Sequence, residues 1–240
     1  MEQRRQRSSR WRAGWSPERW LEVLLAMLVL FVFVGRPIVA EWPQADLALE
    51  IILTLVLASG VAATTHRGGL TIALIAAITI AVGWVAWGTR SGAVREVHNA
   101  VAMFYCLALA GYVLSEVFRA TEVRRHQIEG AIAAYLLLGV AWSFAYNLVF
   151  MMRPDSFTFG NAMLQDDPES QGRFLYFSFV TLTTIGYGDI TPTIATSEML
   201  SVLEALVGQL FPAILLARLV SMELHHRILR EQRAALHRDG

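Results

Sequence analysis

Six apolar stretches dominate the chain and limit the structures that it can adopt. At about 1.5 Å per residue, helices of this length cross the roughly 30 Å of hydrocarbon in a bilayer. Hydrophobic residues make up 55% of the 240 residues, which leaves no room for a large soluble domain. We therefore expect an all-α integral membrane protein with six transmembrane helices. The stretches cover residues 20–40, 47–63, 70–87, 97–118, 131–152 and 195–220.

The first stretch is the least regular, because Arg36 and Pro37 interrupt it. A cleaved signal peptide is the alternative interpretation. However, the basic region before the stretch is long, and Ile38 spoils a small-x-small cleavage site before Glu41. We therefore expect this segment to be retained as a helix.

Basic residues are unevenly distributed, although the formal net charge is zero. They gather in the N-terminal segment 1–19, in the loops after the second and fourth stretches, and in the tail 222–240. Since cytoplasmic loops carry an excess of Lys and Arg, we expect a multi-pass protein of the cell membrane with both termini in the cytoplasm. Segment 1–19 interleaves Arg with Trp, a pattern typical of binding to lipid headgroups or to nucleic acid. The apolar stretches favour lipid, and we expect no nucleic-acid partner.

Residues 20–128 are expected to form a four-helix transmembrane domain without voltage-sensing arginines. Between Ala100 and Ser115 there is no Arg or Lys. A voltage sensor needs several cations at regular spacing, because each charge couples to the field by only about 2.3 kcal/mol per 100 mV. We therefore expect weak voltage dependence.

A polar, glycine-rich run, residues 181–192 (TLTTIGYGDITP), lies between the fifth and sixth stretches. Glycine enters positive φ at low cost, so Gly186 and Gly188 allow the backbone to change hand at every second residue and turn successive carbonyls to one side. Four such runs around one axis would form oxygen cages for a dehydrated K⁺ ion. An ordinary Gly/Asp/Pro turn is the alternative. The expected ligands are the carbonyls of Thr184, Ile185, Gly186 and Tyr187 and the hydroxyl of Thr184.

The segment before this run, residues 173–183 (RFLYFSFVTLT), is too short to cross a bilayer. It predicts a re-entrant helix whose C-terminal end points at the middle of the membrane. The negative end of its dipole would then favour a cation there. An aromatic segment lying at the membrane interface is the alternative.

The six residues from Thr184 to Asp189 (TIGYGD) resemble the selectivity-filter signature of potassium channels, Thr-Val-Gly-Tyr-Gly, which is often followed by Asp. The departure is Ile for Val, and both are β-branched and apolar. The resemblance covers residues 130–220 and implies a pore domain, placed at 129–221, with Gly188 closing the filter and Asp189 at its outer mouth. Because the chain contains one filter sequence and a cage needs four, a homotetramer is expected.

The sixth stretch contains two residues that favour a bend. The position of Gly208 resembles that of the hinge glycine in the inner helix of many potassium channels. Pro212, one turn later, removes a backbone hydrogen bond of the helix. The pair predicts a gate. Close packing of Gly208 against the fifth helix is the alternative.

Glu204 lies near the middle of the sixth stretch, where an ionisable residue usually has a function. We expect it to face the ion cavity, or to hydrogen bond behind the filter to Thr183 or Tyr176. Some potassium channels have a glutamate that binds the outer aspartate at the position of Val180. In its absence, we expect Tyr176 to be the partner of Asp189.

Together these features predict passive, K⁺-selective conduction by a homotetramer in a lipid bilayer. No cofactor is expected, since K⁺ is the permeant ion. The sequence contains no zinc-ligand spacing, nucleophile with its base or phosphate-binding loop, so no enzyme activity is expected. The alternatives are a weakly selective cation channel and a receptor or scaffold that keeps a pore-like fold without conducting.

Overall fold

The computed structural model describes seven parts of the chain. Most of the basic N-terminal segment and the interruption at Arg36 and Pro37 lie outside them. The expectations that concern those residues therefore remain predictions. The described parts are residues 17–35, 45–64, 69–89, 91–119, 125–160, 162–163 and 170–236.

Seven α-helices account for nearly all of the described residues. The expected boundaries of the second and third helices agree with the observed ones to within a few residues, since long apolar segments bounded by charged or turn residues specify helices locally. The fifth helix begins six residues before the expected boundary, at Arg125. A π-helical turn, Leu30–Gly35, continues the first helix. The helices are α1 (Pro17–Val29), α2 (Ala45–Thr64), α3 (Gly69–Thr89), α4 (Gly92–Arg119), α5 (Arg125–Met152), α6 (Ser170–Leu182) and α7 (Ala195–Leu236).

Three of these helices are long and apolar enough to cross a membrane, judged over the described residues. They contain the segments Gly92–Arg119, His126–Met152 and Ala195–Met222. Three shorter apolar helical segments lie before them in the chain, Leu21–Val34, Ile51–Val61 and Thr71–Ala86. The chain is thus a mostly helical membrane protein.

The first five helices share one hydrophobic core, in which small residues allow close approach. Gly60 in α2 is one such position, because a Cβ there would lie 2.5 Å from a methyl carbon of Leu109 in α4. Next to it, the buried Tyr105 hydroxyl donates to the Leu57 carbonyl at 2.7 Å. These contacts hold α4 against α2, and α4 in turn packs against α5.

A three-stranded antiparallel sheet joins the segment after α5 to the residues after the polar run. Its order is β2-β1-β3, formed by Ala162–Met163, Phe157–Phe159 and Ile190–Pro192. Phe157 pairs with Pro192 and Phe159 with Ile190. Strands of two or three residues give too little alternation to be recognised in the sequence.

Candidate ion-binding site

The polar run begins where α6 ends. The Thr183 amide still donates to the Phe179 carbonyl at 3.0 Å, as in a continuing helix. The Thr184 amide instead donates to Thr181, three residues back, at 2.9 Å. The helix therefore tightens and stops at Leu182, and the chain leaves it at Thr184.

Three alternate residues of the run have left-handed backbone conformations. Their φ angles are 59° at Thr184, 60° at Gly186 and 76° at Gly188. The two glycines were expected to adopt positive φ, but Thr184 was not. A β-branched residue rarely enters this region, and backbone strain of this kind is concentrated at functional sites. Nothing in the residue type of Thr184 indicated it.

Two amides of the run are turned towards α6. The amides of Ile185 and Gly186 both donate to the Val180 carbonyl, at 2.9 and 3.3 Å. In a trans peptide, the N–H and the C=O of one unit point in opposite directions. The carbonyls of Thr184 and Ile185, which share peptide units with these amides, therefore point away from α6.

The side of the run opposite α6 is uncovered in the single chain. Residues 183–188 are all exposed. Even the large apolar side chains are uncovered, with Ile185 54% exposed and Tyr187 68% exposed. A row of peptide oxygens on an exposed surface is a set of hard ligands suited to an alkali cation.

The end of the run that follows Gly188 is held by the sheet. The Asp189 carbonyl accepts the Gly160 amide at 2.8 Å, and Ile190 begins β3. The Tyr176 hydroxyl lies within hydrogen-bonding reach of the Asp189 carboxylate, the pair expected from the sequence. The backbone after Gly188 is thus fixed by β1 and by a side chain of α6.

An aromatic cluster fills the space behind the run. Tyr146 and Phe177 have ring centroids 4.9 Å apart, and Phe157 and Phe174 have centroids 5.0 Å apart, both pairs edge to face. Such pairs stabilise by about 0.5–1.5 kcal/mol beyond the area that they bury. They fix the position of α6 relative to α5 and β1. The buried members of the cluster are Tyr146, Phe150, Phe157, Phe174, Phe177 and Ile190.

Gly208 lies directly against the C-terminal end of α6. A Cβ at this position would be 1.9 Å from the Leu182 carbonyl oxygen. The same carbonyl accepts the Tyr135 hydroxyl of α5 at 3.0 Å. Leu182 is therefore the point where α5, α6 and α7 meet.

This contact corrects the packing alternative for Gly208, because the close neighbour is the backbone of α6 and not the fifth helix. The expected bend is not visible as a break: α7 is helical from Ala195 to Leu236, through both Gly208 and Pro212. The sequence alone could not show that a main-chain carbonyl approaches this glycine.

The Glu204 carboxyl is buried behind the run and bridges all three helices. It accepts the Tyr146 hydroxyl at 2.5 Å and lies 2.6 Å from the Ser178 hydroxyl oxygen. The Ser178 hydroxyl also contacts the Gly139 carbonyl at 2.7 Å. These partners differ from Thr183 and Tyr176, which were expected from the sequence. The sequence contained one indication of the true partner, since Ser178 lies among aromatic residues in α6 and a buried hydroxyl needs a hydrogen-bond partner.

One acidic residue of the segment after α5 carries a paired charge. Arg153 Nε and Nη2 donate to the two carboxylate oxygens of Asp155, each at 3.2 Å. The hydrogen bond from Arg153 lowers the pKa of Asp155. The negative charge of Asp155 is therefore paired with the positive charge of Arg153.

The part of the chain that resembles known proteins contains the polar run and the helices around it. Residues 131–224 match the family described as ion channel. The chain is 37% identical over 107 residues to two-pore potassium channel 3 of Arabidopsis thaliana, covering 43% of this chain and 22% of that protein. It is 37% identical over 93 residues to two pore potassium channel c of Oryza sativa subsp. japonica, covering 39% and 18%. Protein LctB of Bacillus caldotenax is 38% identical over 72 residues, covering 30% and 48%.

The chain spans about a fifth of the length of the two-pore channels that it matches. The matched segment 131–224 nevertheless contains most of α5, all of α6, the whole polar run and the first part of α7. These are the elements that build and support the exposed row of peptide groups. Residues 131–224 are therefore similar to the ion channel family and to segments of two-pore potassium channels.

Proposed function

We propose that four copies of this chain form a channel that conducts K⁺ selectively and passively, through a filter made of Thr184, Ile185, Gly186, Tyr187 and Gly188. The observation that carries this proposal is the alternation of left-handed residues at Thr184, Gly186 and Gly188. It is combined with amides turned towards Val180, so that carbonyl oxygens face the open side. K⁺ would be held by the carbonyls of residues 184–187 and the Thr184 hydroxyl.

The homotetramer is supported by what the single chain leaves uncovered. The exposed side of the filter continues onto α7, where a row of large apolar side chains is more than half exposed. Only 11% of the most apolar part of α7 is buried within the chain. One filter per chain and four per cage make a cyclic tetramer the smallest closed assembly. The exposed α7 residues are Met199, Val202, Leu203, Leu206, Leu210, Ile214, Leu216 and Val220.

In the membrane, we place six spans, with α6 as a re-entrant helix between the fifth and the sixth. Helix α6 has 13 residues, so it is about 20 Å long and cannot cross the bilayer. Both termini would be cytoplasmic in the cell membrane, as the charge distribution favours. Asp189 would then lie at the outer mouth, with K⁺ as the permeant ion and no cofactor.

Gating would depend only weakly on voltage. Helix α4 contains no Arg or Lys between Ala100 and Ser115. Arg119 at its end is exposed and lies 3.7 Å from Glu116, as a surface pair does. Neither residue is placed to move through the field across the membrane.

A bend in α7 at Gly208 and Pro212 would open the inner end of the pore. Since Gly208 is held against Leu182, Pro212 is the better pivot. Proline has no N–H, so the Gly208 carbonyl four residues earlier lacks its helical partner. Recording open probability of Pro212→Ala tests this, and an unchanged open probability would exclude the pivot.

The deciding experiment measures the reversal potential of the purified protein in planar bilayers with different K⁺ and Na⁺ concentrations on the two sides. A value near the K⁺ equilibrium potential is expected. A value near zero would identify a weakly selective cation channel instead. Absence of current from correctly assembled protein would favour a receptor or scaffold.

A further inference from the structure

Glu204 is buried in the membrane-spanning part of α7 without a cationic partner. The residue is 0% exposed, as are Tyr146 of α5 and Ser178 of α6 beside it. Among the described residues, no Lys, Arg or His forms an ion pair with it. Burying an unpaired carboxylate costs far more free energy than burying a neutral acid. The position of the carboxyl proton can be inferred from the hydrogen bonds.

Three oxygen–oxygen contacts around Glu204 each require one proton. They join Tyr146 to Oε2 at 2.5 Å, Ser178 to Oε1 at 2.6 Å, and Ser178 to the Gly139 carbonyl at 2.7 Å. Tyr146 and Ser178 each carry a single hydroxyl proton, and a carbonyl has none. An ionised Glu204 would therefore leave one close pair of oxygens without a proton between them.

Neighbouring hydroxyl groups do not supply the missing proton. The Ser201 hydroxyl, one turn earlier in α7, donates to the Ser197 carbonyl at 2.8 Å. The Tyr135 hydroxyl of α5 donates to the Leu182 carbonyl at 3.0 Å. The arrangement is complete only if Ser178 donates to Gly139 and the third proton is carried by Glu204 Oε1.

We propose that Glu204 is a positioning residue for the filter, held as a neutral carboxylic acid that donates to Ser178 and accepts from Tyr146. Its effect on conduction rests on the channel function proposed above. The acid joins α7 to α6 and α5 at a level close to the filter. Through it, each of the three helices has a fixed position relative to the other two.

The link from Glu204 to the filter runs through α6. Ser178 lies two residues before Val180, whose carbonyl accepts the amides of Ile185 and Gly186. Both residues belong to the same rigid helix, so a shift of Ser178 also moves the Val180 carbonyl. The hydrogen bond from Glu204 therefore holds in place the group that orients the inner filter carbonyls.

Infrared spectroscopy of the full chain in lipid vesicles containing K⁺ tests the protonation state at neutral pH. The C=O stretching band of a protonated carboxylic acid lies apart from the carboxylate bands. We expect such a band in the wild type and its loss in Glu204→Gln. The matched control is Glu198→Gln, an exposed acid in the first turn of the same helix, which should keep the band.

A second variant tests the partner. Tyr146→Phe removes the hydrogen bond to Oε2, the carbonyl oxygen of the neutral acid. We expect the band to persist and to move to higher frequency, because a hydrogen bond to a carbonyl lowers its stretching frequency. An unchanged frequency in Tyr146→Phe, or no difference between the wild type and Glu204→Gln, would overturn the proposal.

Ion currents test the positioning role. The glutamine amide can donate to Ser178 and accept from Tyr146, so Glu204→Gln should keep K⁺-selective current within about threefold of the wild type. Glu204→Ala leaves buried hydroxyls unpaired and should reduce that current by at least about tenfold. Equal damage in both variants would contradict positioning by a neutral acid.

The two proposals fail in different ways. If the assembled wild type conducts no K⁺, the channel function fails, and positioning of a filter fails with it, whereas the infrared band still shows whether Glu204 is neutral. If the wild type conducts K⁺ selectively and no band is lost in Glu204→Gln, the channel function stands and only the inference about Glu204 is wrong.

Discussion

Behind the proposed filter, Tyr146, Phe157 and Phe174 are fully buried, whereas on its open side Ile185 and Tyr187 are more than half exposed. The long helices show the same contrast. In the most apolar part of α5, 61% of the residues are buried within the chain, compared with 11% in α7. The packing behind the proposed filter is thus complete within one chain, whereas the side proposed to face the ion is left uncovered by that chain. Changes behind the filter should affect folding and assembly, and changes on the open side should affect ion selectivity.

The largest effect is expected for Gly208→Ala, behind the filter. The new Cβ would lie 1.9 Å from the Leu182 carbonyl oxygen, so α6 and α7 must separate. We expect a loss of at least about 3 kcal/mol per subunit and little assembled tetramer. Thermal unfolding and the size of the detergent-solubilised complex measure both quantities.

Gly111→Ala is the matched control for Gly208→Ala, because a Cβ at Gly111 meets nothing within 4 Å. Its stability should stay within about 1 kcal/mol of the wild type. If both alanine variants assembled equally well, close packing at Gly208 would be contradicted.

On the open side, Gly186→Ala is expected to remove selectivity while leaving the chain assembled. A Cβ there meets nothing within 4 Å, but φ is 60°, which costs an L-residue about 1–2 kcal/mol per subunit. The filter backbone should relax away from this conformation. The reversal potential would then move towards zero in unequal K⁺ and Na⁺.

Gly160→Ala separates general backbone strain from an effect on the filter. Gly160 has a φ of 56° and equally open surroundings, but it lies between β1 and β2. Its amide, which alanine keeps, donates to the Asp189 carbonyl after the run. The variant should lose similar stability and keep K⁺ selectivity. If Gly160→Ala and Gly186→Ala lost K⁺ selectivity equally, a specific role of Gly186 in selectivity would be contradicted.

A smaller effect is expected for Thr158→Val, which tests the attachment of the outer end of the filter. The hydroxyl oxygens of Thr158 in β1 and Thr191 in β3 are 2.7 Å apart. Removing one should cost about 1 kcal/mol of unfolding free energy, since the partner is partly buried. The double variant with Thr191→Val should lose less than the sum of the two single variants, as thermal unfolding would show. Additive losses would mean that the two hydroxyls do not interact.

The smallest effect is expected for Asp155→Asn on the exposed rim. The hydrogen bond from Arg153 lowers the pKa of Asp155, so its stabilisation exists above the ordinary Asp pKa and is lost as the pH falls through the lowered value. The Tm difference from the wild type should be slight at neutral pH, vanish in strong acid and shrink in high salt. A large Tm difference that persists in high salt would show that Asp155 does more than form an exposed ion pair with Arg153.

Local chemistry explains which features could be predicted. The second helix was expected at 47–63 and is observed at Ala45–Thr64; α6 was expected at 173–183 and is observed at Ser170–Leu182. Each helix satisfies its own backbone hydrogen bonds, so its position follows from its own residues. The glycines of the filter were predictable for the same reason, because positive φ is a property of the residue type.

The features that the sequence did not reveal depend on residues far apart in the chain. Thr184 adopts positive φ next to two residues, Ile185 and Gly186, whose amides donate to the Val180 carbonyl. Phe157 forms a strand because Ile190–Pro192 lies beside it. The partners of Glu204 in α5 and α6 lie 58 and 26 residues away.

The sequence by itself determined roughly where the long apolar helices lie, that the backbone can adopt positive φ at Gly186 and Gly188, and that an ionisable residue lies near the middle of the sixth apolar stretch. Only the tertiary structure decided that Gly208 meets the Leu182 carbonyl and that Glu204 bridges Tyr146 and Ser178. The physical reason is the distance along the chain over which each interaction acts. Helix formation and φ preferences are set within a few residues, whereas close packing and buried hydrogen bonds are set by whichever segments the fold brings together.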